Sequence, residues 1–292
     1  MIGICFISKK RKGCNKMDFL ISLYNFFDAR MDTPTNYDSY HLLCVGIMLA
    51  ITVLLICLFK KAGEKTVRGL AGFFWVTIVV LEIIKQLLFG FSIVDGKFVW
   101  DYAWYAFPFQ FCSSPLYVLP IVAFAKNGKF RDAAIIFLAT FGFFAGACVY
   151  VFPNDVFTPQ IFINIQTMIH HGTQVFFGTY LAFRYKHLLS FKNLVRATGV
   201  FTALSALAML MNIGTHHLFP AFGIDETFNM FYISPYHECT LPLLSEVYKA
   251  VPYPAFLCIY IFGFMLCAGL VMLIMKGLIK ITGVSKITVD CE

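Results

Sequence analysis

Apolar residues occur along this chain in long runs separated by short charged stretches. Seven of the runs reach or approach the roughly 20 residues that a bilayer-spanning helix needs. They are Tyr40–Phe59, Leu70–Ser92, Tyr105–Ala125, Ala133–Phe152, Ile161–Arg184, Leu194–Ile213 and Pro254–Lys276. The pattern predicts an all-α polytopic membrane domain over residues 40–276, flanked by a polar N-terminal tail (1–39) and a short tail at 277–292. The apolar piece Phe19–Phe27 is too short to span, and no small-residue cleavage site follows it. Met17 is an alternative start, which would leave Lys9, Lys10, Arg11 and Lys12 in an upstream extension. No repeat, linker or low-complexity stretch divides the chain, so one domain is expected.

Charge gives the predicted runs an orientation. Lys60, Lys61, Lys65 and Arg68 follow the first run, Lys126, Lys129 and Arg131 the third, and Arg184, Lys186 and Lys192 the fifth. Lys276, Lys280 and Lys286 follow the seventh. The alternate loops carry Asp95, Asp101, Asp155, Asp225, Glu226, Glu238 and Glu246. Basic loops stay cytoplasmic, so the N-terminus is expected outside and the C-terminus in the cytoplasm. Composition agrees with the class: 59% of residues are hydrophobic and 13% charged, against about half and a quarter in soluble domains. The net charge of +7 is dispersed among loops and gives no nucleic-acid partner. The ten cysteines show neither CxxC pairs nor zinc-ligand spacing, so no disulfide, metal or cofactor is expected.

The third run breaks the pattern. Residues 107–120 read F-P-F-Q-F-C-S-S-P-L-Y-V-L-P, with three prolines among apolar residues. Proline removes a helix hydrogen bond and clashes with the preceding turn. Polar groups at membrane depth survive mainly against protein or a wet cavity. Cys112, with Gln110, Ser113 and Ser114 around it, is therefore a candidate reactive centre. At about 1.5 Å per residue, Cys112 lies roughly 10 Å below the outer end of its run, and His170 lies at a similar depth in the fifth. Gln166 sits one turn above His170 and shares its face. Glu82 and Lys85 fall in the outer half of the second run, and Asn212 falls at the mouth of the sixth.

Each residue has a plainer alternative. Cys112 alone reads more often as an inert buried thiol, and it is the polar residues around it and a histidine at matching depth that turn the reading to a functional one. His170 could serve a backbone carbonyl, and His171 points about 100° away. Glu82 and Lys85 read equally as a mutually neutralising pair or as part of a site. Asn212 suits an interhelical hydrogen bond, and His216, His217 and His237 suit an ordinary loop. Gly142 and Gly146, with Ala139 and Ala145, suit close helix packing. The long connection from Gly214 to Val251 is aromatic and lightly charged, consistent with a re-entrant segment or a lid.

The chemistry follows from the thiol. A thiolate is a nucleophile, and a nearby imidazole can take its proton and return one to a leaving group. Gln110, Ser113 or a freed backbone N–H could hold a developing oxyanion. Just beneath the headgroups the available carbonyls are lipid esters.

The run F-P-F-Q-F-C-S-S-P-L at 107–116, Glu82 in the second run and M-I-H-H-G at 168–172 resemble the transmembrane protein 164 family and its bacterial YwaF-type relatives. So do M-N-I-G-T at 211–215 and N-M-F-Y-I-S-P at 229–235, the last beginning at Asn229. The similarity runs from about Tyr40 to Lys276. It implies an acyltransferase that moves a fatty acyl chain between phospholipid and lysophospholipid, with the family's cysteine falling on Cys112 and its histidine on His170. Membrane phospholipid and lysophospholipid are then the expected partners, in a bacterial plasma membrane or a eukaryotic endoplasmic reticulum. Two other readings stay open: a transporter or receptor with an outer cavity, and a zinc-dependent lipid hydrolase using His170, His171 and loop histidines. The acyltransferase reading expects the sulfur and the imidazole to meet within bonding range below the outer surface.

Overall fold

The computed structural model describes residues 16–153 and 156–282. The basic cluster at Lys9–Lys12, Asp155 and the tail carrying Lys286 lie outside the described residues. The architecture is mostly helical. Helices α1 (Lys16–Phe27), α2 (Ser39–Phe59) and α3 (Glu64–Gly90) come first. They are followed by a hairpin of β1 (Phe91–Val94) and β2 (Lys97–Trp100). Then come α4 (Pro115–Phe124), α5 (Lys129–Phe137), α6 (Phe143–Val151), α7 (Ile161–Arg184), α8 (Phe191–Leu218), α9 (Leu244–Ala250) and α10 (Tyr253–Ile281). A π turn at Leu138–Gly142 joins α5 to α6 in one continuous rod.

Among the described residues, five rods are long and apolar enough to cross a membrane: Ser39–Phe59, Glu64–Gly90, Lys129–Val151, Phe191–Phe222 and Tyr253–Ile281. They match the first, second, fourth, sixth and seventh predicted runs, so this is a multi-pass integral membrane protein. The other two runs differ, each for a physical reason. The third is not a continuous helix. Short 3-10 turns at Trp104–Ala106 and Phe111–Ser113 precede α4, whose first residue is Pro115 and whose interior holds Pro120. Proline fits the first helical position because its missing N–H has no partner there anyway. The fifth run is a full 24-residue helix, α7, but it is too polar to face lipid. From His170 to Phe183 every side chain is buried. It forms the axis of the bundle, with α2, α3 and α6 against it, which is where polar residues at membrane depth are tolerated.

Glycine sets the closest approach. A Cβ on Gly146 would stand 2.6 Å from the His171 carbonyl oxygen, and one on Gly178 would stand 2.7 Å from that of Leu138. Gly142 has no such contact under 3.6 Å, so only one of the two glycines expected to pack closely is required to do so.

The two ends of the bundle differ. At one end Arg68, Arg131 and Arg184 lie together with the loops that hold Lys60, Lys126 and Lys186. At the other end lie the hairpin, α1 and the connection after α8. Asp95 and Gly96 form the hairpin turn with φ of 50° and 71°, the left-handed pair that a two-residue turn favours. The stretch at 16–27, expected as part of a polar tail, is α1, tied to the hairpin by Tyr24 Oη donating to the Phe91 carbonyl at 2.6 Å. Asp38 accepts from the His41 amide and caps α2, and that bond holds its carboxyl below the usual carboxylate range.

The connection after α8 turns back into the protein. Met230, Phe231, Ile233 and Ser234 are all buried, and Phe231 packs on Phe109, Phe111 and Phe201. Irregular backbone inside a bundle needs every polar group paired. Asn212 grips Met230 through both its amide and its carbonyl, at 2.7 and 3.0 Å. Tyr260 Oη donates to the Phe231 carbonyl at 2.9 Å.

Candidate active site

Gln166, His170 and Gln174 stand at four-residue intervals on α7 and so share one face. That face meets the broken segment at Cys112. Nε2 of His170 and Nε2 of Gln174 both reach the Cys112 carbonyl oxygen, at 2.9 and 2.8 Å. A carbonyl oxygen only accepts, so the imidazole proton is on Nε2 and the neutral ring keeps its lone pair on Nδ1. Nδ1 is buried, with no partner among the described residues.

Three more polar atoms nearby share that condition: Nε2 of His171, Oε1 of Gln174 and Oγ of Ser114. Buried polar atoms are nearly always paired. Four such atoms fall within one turn of α7 and at the residue two beyond Cys112, a local concentration of unspent hydrogen-bonding capacity among the described residues. His171 has its own tautomer fixed, with Nδ1 donating to the Thr167 carbonyl at 2.8 Å. It therefore offers a second lone pair, turned away from Cys112 as its place on the helix requires.

The Cys112 thiol is half-buried. Ser113 and Ser114 follow it in the chain, and the Glu82–Lys85 pair is joined through Gln166 to α7 one turn from His170. Among the described residues, no hydrogen bond joins the thiol itself to the imidazole. The imidazole does reach residue 112, but at its peptide oxygen, which is a stronger acceptor than a thiol.

Glu82 on α3 is the hub of the adjoining network. Its Oε1 accepts from Lys85 at 3.2 Å and Gln86 at 2.7 Å, and its Oε2 accepts from Gln166 at 3.0 Å. Gln86 also donates to the Ala106 carbonyl at 2.9 Å and accepts from Tyr102. Burial and the charge of Glu82 push the Tyr102 hydroxyl up to about 12, so it remains a donor at any working pH. The sequence-predicted Glu82, Lys85 and Gln166 are thus joined to one another, one turn of α7 away from His170.

The other predicted residues do different work. Gln110 accepts from the Phe231 amide at 2.8 Å and donates to the Asn229 carbonyl at 3.1 Å. Asn229 holds the Ser234 amide and the Glu238 carbonyl. With Asn212, these side chains pin the returning loop, and their amides are already engaged. His216 stacks on Tyr236 at 3.5 Å, and His217 also contacts that ring. Sequence reasoning missed Gln174 and Gln86. The signal was present for Gln174, which continues the stripe of Gln166 and His170 at the same spacing. No group of three His, Cys, Asp or Glu side chains able to hold a metal occurs among the described residues, so the convergence a zinc site needs is not met there.

The sequence pattern of the TMEM164 family matches residues 36–276. The chain belongs to the TMEM164 family. The matched region begins two residues before the Asp38 cap and ends within α10, so every site residue described above lies in the TMEM164 portion. Comparison with curated proteins and with solved structures gives no match.

Proposed function

We propose that this TMEM164-family protein is a membrane acyltransferase that carries a fatty acyl chain from a phospholipid to a lysophospholipid on Cys112. The observation that supports it best is the His170 ring, held against the peptide of Cys112 with a buried lone pair on Nδ1 free to take a proton. In the first half-reaction Nδ1 removes the thiol proton and sulfur attacks the ester carbonyl of the donor. A C–S bond forms, the C–O bond breaks, and the proton passes from His170 to the departing glycerol oxygen. In the second half-reaction the hydroxyl of a lysophospholipid gives its proton to Nδ1 and attacks the thioester. A C–O bond forms, the C–S bond breaks, and the proton returns to sulfur. Of the groups expected to hold the oxyanion, Gln110 is engaged elsewhere, which leaves the Ser113 hydroxyl or a freed backbone N–H, with the Ser114 hydroxyl as a further donor nearby. Glu82 and Lys85 set the field around both reacting groups.

In this reading the broken third run and α7 complete a seven-pass topology. The arginine-rich end faces the cytoplasm and the hairpin end faces outward. The test is lipid remodelling by purified protein supplied with isotopically labelled phospholipid and lysophospholipid. Transfer should disappear in Cys112→Ala and fall by orders of magnitude in His170→Ala while both proteins still fold. Full remodelling by Cys112→Ala would rule out this mechanism, and uptake of a small ligand surviving that substitution would favour a transporter.

A further inference from the structure

On the side of α3 facing α4, six residues fall on one stripe: Trp75, Val79, Glu82, Ile83, Gln86 and Leu87. They form the floor of an open groove of about 480 Å³. Pro108, Leu116 and Tyr117 make its far wall. Those residues flank the stretch that carries Cys112, and the Tyr117 hydroxyl closes that bow by donating to the Pro108 carbonyl at 2.6 Å. Phe91, Trp100 and Tyr102 stand at the hairpin end.

The occupant is constrained by where the groove lies. On the outer surface of α3, Val76, Val80, Ile83 and Leu87 are each about half exposed, the surface of a helix that faces hydrocarbon. A channel opening on such a face is filled from the bilayer. From Trp75 to Leu87 the helix rises about 18 Å. That length and an open volume of about 480 Å³ leave room for an extended hydrocarbon chain lying along the helix. The wall is apolar except at Glu82 and Gln86. Those two lie about one to two turns below the aromatic hairpin, whose Trp and Tyr side chains suit the headgroup level. A glycerolipid tail lying along that length with its methyl end toward Trp75 has its ester carbonyl near Gln86, which is hydrogen-bonded to Glu82. Glu82 is bonded to Gln166, one turn of α7 from His170.

We infer that this lateral groove is the seat of one acyl chain of a membrane glycerolipid, which enters from the bilayer between α3 and α4 and presents its ester next to the Glu82 network. The inference rests on the acyl-transfer reading for its purpose, not for its test. Full-length protein in phospholipid vesicles is irradiated with a phospholipid bearing a photoactivatable diazirine on one tail, and the labelled residues are mapped by mass spectrometry. Label should concentrate on Val79, Ile83, Leu116 or Leu87, and Ile83→Trp or Val79→Trp should reduce it at least fivefold. Ile83 is more than half exposed, so that substitution fills the groove without disturbing the core. Label spread evenly over lipid-facing α2 and α10, and unchanged in both tryptophan variants, would overturn the inference. Groove labelling should persist in Cys112→Ser whether or not acyl transfer occurs, so failure of the chemistry and failure of the groove are separately visible.

Discussion

Two of the polar clusters in this bundle differ in how their atoms are held: one is closed by ion pairs, and the other keeps several buried atoms without a hydrogen-bond partner among the described residues. At the arginine end, Glu64 is held by Arg131 at 2.5 Å and Arg68 at 3.3 Å, and its second oxygen accepts from Tyr185 at 2.7 Å. The same guanidinium groups reach the carbonyls of Val122 and Ala125, and Arg184 reaches that of Ala62. This clamp ties α3, α4, α5 and α7 together. Around Cys112 the opposite holds. Two donors converge on one carbonyl, while His170, His171, Gln174 and Ser114 each keep a buried atom without a hydrogen-bond partner among the described residues. A folded chain leaves such atoms unpaired only at a cost of about 1–3 kcal/mol each. Such atoms also occur singly at Tyr40, Glu64 and Ser205, so what distinguishes the Cys112 region is their concentration beside one thiol.

The largest contrast should come from removing one residue of each cluster. Cys112→Ala should abolish acyl transfer and His170→Ala should lower it by about 10² to 10⁴-fold, both with little change in thermal unfolding. Arg131→Ala should do the reverse. It strands Glu64 beside a reduced counter-charge, which should cost about 3 kcal/mol, measured as a lower unfolding temperature in detergent, while activity per folded molecule is kept. A variant set in which Arg131→Ala abolished catalysis without unfolding would break the contrast.

A smaller effect is expected where the helices touch. Gly146→Ala places a methyl against the His171 carbonyl and should cost about 1–3 kcal/mol of stability, lowering activity through displacement of α7. Smaller again is the coupling within the Glu82 network. Glu82→Gln leaves the Lys85 ammonium without its counter-charge, so Lys85→Met should partly rescue it. The coupling energy expected from a double-mutant cycle is about 1 kcal/mol. Gln174→Leu removes one of the two donors on the Cys112 carbonyl and should slow transfer by only about fivefold, or about 1 kcal/mol.

Much of this was legible in the sequence because hydropathy reports solvent directly. The five apolar rods and the break at 107–120 follow from run length and proline. The role of α7 as the buried axis was less visible: its polar residues read as isolated features of a span, whereas burial from His170 to Phe183 makes the whole helix interior. Equal depth along two helices paired Cys112 with His170, yet depth carries no information on which atom of residue 112 the ring would meet. Gln110, Asn212 and Asn229 looked like site residues because they are polar at membrane depth. Their use in pinning a returning loop depends on contacts such as Gln110 to Phe231, 121 residues apart, which no local pattern encodes. The Asp95–Gly96 turn was a readable hairpin signal, hidden by an expectation of helices alone.

The account stands most directly on whether sulfur carries the acyl group. Intact-mass spectrometry of purified protein incubated with a single defined phospholipid, quenched at short times, reads this without a partner substrate. A mass increase of one acyl chain is expected, localised to Cys112, lost in Cys112→Ser and formed far more slowly in His170→Ala. An unmodified protein at every time point, or an acyl adduct that persists in Cys112→Ser, would contradict it.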